Sequence, residues 1–107
     1  VSLKNGDKVY DLICKIKSRE YALLFVSREK NTAAIFELGL TKNDAIEWII
    51  KNLHYYHCQE GPLTDQNLSQ GEVYVFKCYY ACASKNLYIK LKVDKGIVKI
   101  ISFHFDD

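Results

Sequence analysis

The stretch that decides the fold is Leu87-Tyr88-Ile89-Lys90-Leu91-Lys92-Val93, then Asp94-Lys95-Gly96, then Ile97-Val98-Lys99-Ile100-Ile101-Ser102-Phe103-His104-Phe105. Successive side chains of a strand point to opposite faces, so clean alternation marks a strand buried on one side. Leu87, Ile89, Leu91 and Val93 share one face; Tyr88, Lys90 and Lys92 share the other. Asp94-Lys95-Gly96 is a hairpin signal, with a glycine for the positive φ of a tight turn. Glu72 to Tyr80, aromatic and β-branched, reads as a preceding strand. The expected C-terminal half is an antiparallel meander.

Working outward, the N-terminal half reads as helical. Asp7 follows Asn5-Gly6 and is placed to cap a helix whose Val9, Leu12, Ile13 and Ile16 form one face. Tyr21 to Val26 is short and apolar, as in a strand or an extended link. Asn31 is placed to cap a short helix through Leu38, which Gly39 ends in a left-handed conformation. Thr41, with Asp44 three positions on, opens another helix through a variant capping box. Ile46, Ile49, Ile50 and Leu53 make its buried stripe, with Trp48 at the core rim. Cys58 to Gly71 contains Gly61-Pro62, Thr64-Asp65 and Ser69-Gln70-Gly71 and reads as a long loop. The expectation is an α+β fold: one domain over residues 1–107, with N-terminal helices on one face of the meander.

Bulk composition narrows the function classes. The chain has 107 residues, 49% hydrophobic and 26% charged, enough for one modest core. It contains no long uncharged apolar run, so no membrane-spanning helix is expected. Its start lacks the layout of a secretory signal, and a cytoplasmic location is the expectation. The net charge of +2 is too small to argue for nucleic acid by itself, so the placement of the lysines decides. Cys14, Cys58, Cys78 and Cys82 show no framework spacing and read as reduced thiols. His54, His57, Cys58, Cys78 and Cys82 lack a C-x-x-C pair, so no metal site and no cofactor is expected.

The residues that carry chemistry fall on the outward face. Tyr88, Lys90 and Lys92 are joined there by Lys77 on the preceding strand and by Ser102 and His104 on the following one. The same residues also suit an ordinary solvated strand. RNA can be cut without a metal when its 2′-hydroxyl attacks the neighbouring phosphorus. The protein must then remove one proton, supply another and stabilise extra negative charge. Imidazoles exchange protons near neutral pH, lysines stabilise the phosphorane, and tyrosines stack on unpaired bases. His57, within His54-Tyr55-Tyr56-His57, and His104 would share the acid and base roles if they face one cleft. The aromatic cluster also fits an amphipathic edge strand whose imidazoles cover the tyrosines. His54, at a helix end, is placed to meet the last carbonyls. Arg28 and Lys30 form a solvated pair or hold a phosphate.

Three groups of residues carry a family resemblance. They are Phe25-Val26-Ser27-Arg28-Glu29-Lys30-Asn31 with Glu37-Leu38-Gly39-Leu40-Thr41, then Tyr55-Tyr56-His57 before Gly61-Pro62, and finally Leu87-Tyr88-Ile89-Lys90-Leu91 with Ile101-Ser102-Phe103-His104. In this order the chain resembles the motility quorum-sensing regulator (MqsR) family of type II toxins, over about residues 21 to 104. The resemblance implies a RelE-like fold and a metal-independent endoribonuclease that cleaves mRNA and is held inactive by a cognate antitoxin. It implies a catalytic set of His57, Tyr88, His104, Lys90 and Lys77. Lys92, Tyr56, Arg28 and Lys30 would complete the RNA contacts. Cys58-Gln59-Glu60 and Phe105 depart from the family's pattern. Two other readings stay open: a non-catalytic protein-interaction module such as an inhibitor, motivated by eight tyrosines, and RNA binding without cleavage. Oligomeric state is not fixed by the sequence.

Overall fold

The computed structural model describes residues 5–64 and 71–106. Its elements run α1 (Asn5–Lys17), β1 (Ala22–Phe25), α2 (Glu29–Leu38), α3 (Lys42–Asn52), β2 (Cys58–Thr64), β3 (Glu72–Tyr80), β4 (Lys85–Asp94) and β5 (Ile97–Phe105). Short 3₁₀ turns at Tyr55–His57 and Ala81–Ala83 precede β2 and β4. The five strands form one sheet in the order β1-β5-β4-β3-β2. This is an α+β fold with a mixed sheet.

The alternation of β4 is realised as expected. Leu87, Ile89 and Leu91 are fully buried beneath the helices, with Tyr74, Phe76 and Cys78 from β3 beside them. From α1, Val9, Leu12, Ile13 and Ile16 enter this core, and from α3 and the residue that caps its end, Ala45, Ile49 and Leu53. Gly39 ends α2 at φ 71°, and the capping box of Thr41 and Asp44 opens α3 with both bonds made. Trp48 packs on Tyr80, ring centroids 5.2 Å apart, and edge-on to Phe103.

Four expectations need correction. Asp7 lies inside the first turn of α1, which begins by Asn5, and does not cap it. The sheet is not a pure antiparallel meander, because β1 adds to it in parallel beside Ile97 to Ile100. The segment expected as a loop from Cys58 holds a strand to Thr64, irregularly paired with β3; residues 65–70 lie outside the described residues. Pro62 is tolerated because β2 is the sheet edge, where a missing N–H breaks no ladder. Finally, Asn31 is not a helix cap. Arg28 occupies the cap position of α2, and Asn31 lies inside the helix, 1% exposed.

The role of Asn31 follows from β1 being short. β1 pairs with only the first part of β5, so the edge of β5 has no strand beside it from Ile101 onward. Buried backbone groups require partners, and one amide side chain supplies them. Asn31 Nδ2 donates to the carbonyls of Ile101 and Val26, both at 2.9 Å, and Oδ1 accepts from the N–H of Phe103 at 2.9 Å. Arg28 adds a bond to the same Ile101 carbonyl at 3.2 Å.

Those bonds bracket a β-bulge. Lys90 stands opposite Ser102 and Leu91 opposite Ile100, so Ile101 is an extra residue in β5. Without it the buried Val98 and Ile100 would be followed inward by Ser102 and His104. The bulge shifts the alternation by one, so Phe103 is fully buried and His104 turns to the opposite face.

Candidate active site

The face of the sheet turned away from α1 and α3 carries two cross-strand rows. Lys77, Tyr88 and His104 lie side by side across β3, β4 and β5, and Lys90 stands beside Ser102 in the next row. The rings of Tyr88 and His104 stack, centroids 5.4 Å apart and planes 20° from parallel. α2 flanks this floor because its position is set by Asn31 and by the burial of Ala34 and Ile35. Lys30, Ala33, Ala34 and Glu37 fall on one side of that helix and form the wall. Together with Phe105 and Asp106 they enclose an open cleft of about 500 Å³. That volume lies within the range typical of small-ligand sites.

His104 has a defined hydrogen-bond arrangement. Its Nδ1 is 3.1 Å from the carbonyl of Phe105, which can only accept, so Nδ1 carries a proton. Nε2 is then the atom that can take up and release a proton. Lys77 is engaged with Asp106 at 3.1 Å, which ties the end of the chain to the lysine side of the row. Lys85 lies over the ring of Phe105, 4.9 Å from its centroid.

His57 is elsewhere, and this overturns the shared cleft of two histidines. Its Nδ1 accepts from the N–H of His54 at 2.9 Å, leaving the proton on Nε2, 3.7 Å from Cys78 Sγ. Cys78 lies on the helix-covered face, and its thiol in turn reaches the Asn52 carbonyl at 3.9 Å. His57 therefore stands on the opposite side of the sheet from His104. The physical reason is parity: Cys78 is one residue past Lys77, so it points the other way. The run His54–His57–Cys78–Asn52 closes the turn after α3 against β3. It is not a nucleophilic pair, because burial pushes the Cys78 thiol up and the His57 imidazole down.

A pH effect on stability follows. Burial, with His54 and Lys17 adding positive charge nearby, holds the folded His57 below its ordinary 6.5. Its contribution is thus complete above that value and is lost as pH falls toward the lowered one. His57→Asn keeps an acceptor for the His54 N–H without titrating. Thermal melts of the variant should lack part of the wild-type loss on acidification; superimposable profiles would refute the assignment.

The other candidates divide in the same way. Lys30 lines the cleft wall, and Lys90 and Lys92 share the open face. Arg28 is engaged with the bulge carbonyl and serves the fold. Tyr56 stacks on His54, centroids 5.1 Å apart, on the His57 side and away from the cleft. His54 makes its contacts to Tyr56 and His57 rather than to the last carbonyls of α3. The four cysteines are all free thiols, with Cys14 and Cys82 exposed. Glu37 is a cleft residue that sequence reasoning did not single out. Its signal was the i, i+3, i+4, i+7 spacing of Lys30, Ala33, Ala34 and Glu37 along one helical side.

The fold and site define a class: a small α+β domain with a mixed five-stranded sheet and a polar cleft between one helix and the open sheet face. No protein-family model matches the chain, and no curated protein or solved structure does. No helix among the described residues is long and apolar enough to cross a membrane.

Proposed function

We propose that this chain is a metal-independent endoribonuclease that cuts single-stranded mRNA, a cytoplasmic toxin of a type II system with a RelE-like fold and a cognate antitoxin. The observation that carries the catalytic reading is the convergence of Lys30 and Glu37 from α2 with Tyr88 and His104 from the sheet on one cleft. The resemblance to the MqsR family supports the toxin and antitoxin roles.

The chemistry needs a base, an acid and positive charge. Glu37 replaces His57 as the partner of His104. The Glu37 carboxylate takes the 2′-hydroxyl proton as that oxygen bonds to phosphorus. The P–O5′ bond breaks as protonated His104 gives its Nε2 proton to the leaving oxygen, and the Nδ1–H stays on the Phe105 carbonyl. The products are a 2′,3′-cyclic phosphate and a 5′-hydroxyl. Lys30 and Lys90 offset the charge of the phosphorane, and Tyr88 with His104 offers a stacking platform for a base.

Incubation with single-stranded RNA in excess chelator tests this reading. Fragments ending in cyclic phosphate are expected, with no cleavage of a 2′-O-methyl strand. Intact RNA at every pH from about 5 to about 9 would overturn it.

A second reading, a non-catalytic protein-binding module, draws on Tyr10, Tyr55 and Tyr56. These are 57%, 51% and 66% exposed, with Tyr55 in ring contact with both others on the far side of the sheet. Tight partner capture lost on Tyr55→Ala, with no RNA cleavage, would favour it.

A further inference from the structure

The side-chain amide of Asn31 stands in for a strand residue. A residue of a parallel strand placed opposite Ser102 would donate its N–H to the Ile101 carbonyl and accept from the Phe103 N–H. Asn31 makes both bonds from its side chain, each at 2.9 Å, just beyond the bond from the Val26 N–H to the Ile100 carbonyl. We propose that Asn31 is a positioning residue for RNA cleavage: its amide fixes α2, the wall of the cleft, against the sheet floor and so sets Lys30 and Glu37 in register with His104. The inference rests on the RNA-cleaving reading and adds to it a residue that touches no substrate.

A longer β1 would satisfy the same groups of β5 with backbone alone, but it would occupy the edge against which α2 packs. A side chain reaching out of the helix leaves that place to α2, whose Lys30 and Glu37 line the cleft. The anchor also lies next to the reacting groups. Asn31 follows Lys30 directly, and Phe103, whose N–H it holds, precedes His104.

Of the three residues that α2 buries, Ala34 and Ile35 are apolar and only Asn31 forms directional bonds from its side chain. Apolar burial is non-directional and permits sliding, whereas three hydrogen bonds to backbone groups fix a register. A misplacement of about 1 Å in a reacting geometry costs about 10²-fold in rate, so the tie acts on turnover more than on binding.

The test compares Asn31→Ala with Ile49→Ala, a truncation of a fully buried α3 side chain with a similar expected cost to stability. Both are assayed well below their melting points, where circular dichroism shows them folded. Asn31→Ala is expected to lower kcat by about thirtyfold or more with KM within about threefold, whereas Ile49→Ala keeps both within about twofold. Nitrogen NMR of the His104 ring gives a readout independent of cleavage. The Nδ1 proton held on the Phe105 carbonyl should lose its fixed place in Asn31→Ala and keep it in Ile49→Ala. Equal losses of kcat in the two variants, or an unchanged His104 signature in folded Asn31→Ala, would overturn the proposal. Wild type that cuts no RNA, with a His104 signature that still depends on Asn31, would remove the nuclease reading and leave the tie between wall and floor standing. If Asn31→Ala does not fold, hydrogen exchange in the wild type decides. Saturating 2′-O-methyl RNA, by bridging wall and floor, should slow the Phe103 amide at least about tenfold more than the Leu53 amide at the end of α3. Equal slowing, or none, would overturn the proposal.

Discussion

Asn31→Ala will destabilise the protein by about 3 kcal/mol or more, a large part of the total for a domain of this size. The side chain is 1% exposed and makes three bonds of 2.9 Å, two given to carbonyls and one taken from an amide. Removing it strands the Phe103 N–H in the interior and leaves the Val26 carbonyl without its side-chain donor. Arg28 still reaches Ile101, so that carbonyl is partly covered. Asn31→Asp keeps the acceptor for Phe103 but sets a carboxylate against two carbonyl oxygens, and should be at least as harmful. A fall in melting temperature of more than about 10 °C is expected for either variant. A loss below about 1 kcal/mol in denaturant titration would show that the β5 edge is satisfied in some other way. Hydrogen exchange at Phe103 should accelerate in step with the lost stability.

His104→Ala will lower the rate of RNA cleavage by about 10²–10⁴-fold without a comparable loss of RNA affinity or of fold. The imidazole is half-buried on the open face, while its neighbour Phe103 provides the core contact, so truncation leaves the packing intact. Glu37→Gln separates the acid from the base: cleavage should fall while RNA affinity and fold are kept. Tyr88→Ala should weaken binding and rate together, since it removes the ring stacked on His104. His57→Asn should retain cleavage, because His57 faces Cys78 behind the sheet. If His57→Asn is as inactive as His104→Ala while remaining folded, the assignment of Glu37 is wrong.

Much of the scaffold was legible because short-range rules govern it. Alternation from Leu87 to Val93 fixed the buried face of β4, and Thr41 with Asp44 marked the start of α3. What escaped depends on contacts distant in sequence. Nothing local distinguishes a parallel partner for Ala22–Phe25 from an antiparallel one, and Gly61-Pro62 reads as a loop wherever edge position is unknown. Asn31 has the composition of a helix cap, yet two of its three partners stand about seventy residues away. The site was half legible. Tyr88, Lys90 and His104 share a face as expected, but His57 follows a turn whose side of the sheet is set by the packing of α3 and not by its own neighbours.

The extra residue at Ile101 acts as a phase setting for the last four residues of β5. A chain one residue shorter at this point would keep nearly all its amino acids yet offer water two phenyl rings and bury an imidazole. Among descendants of such a gene, a three-base deletion would thus be a harsher event for chemistry than most missense changes. Length at that position, more than identity, is what a lineage must preserve to keep its proton donor in reach of a substrate.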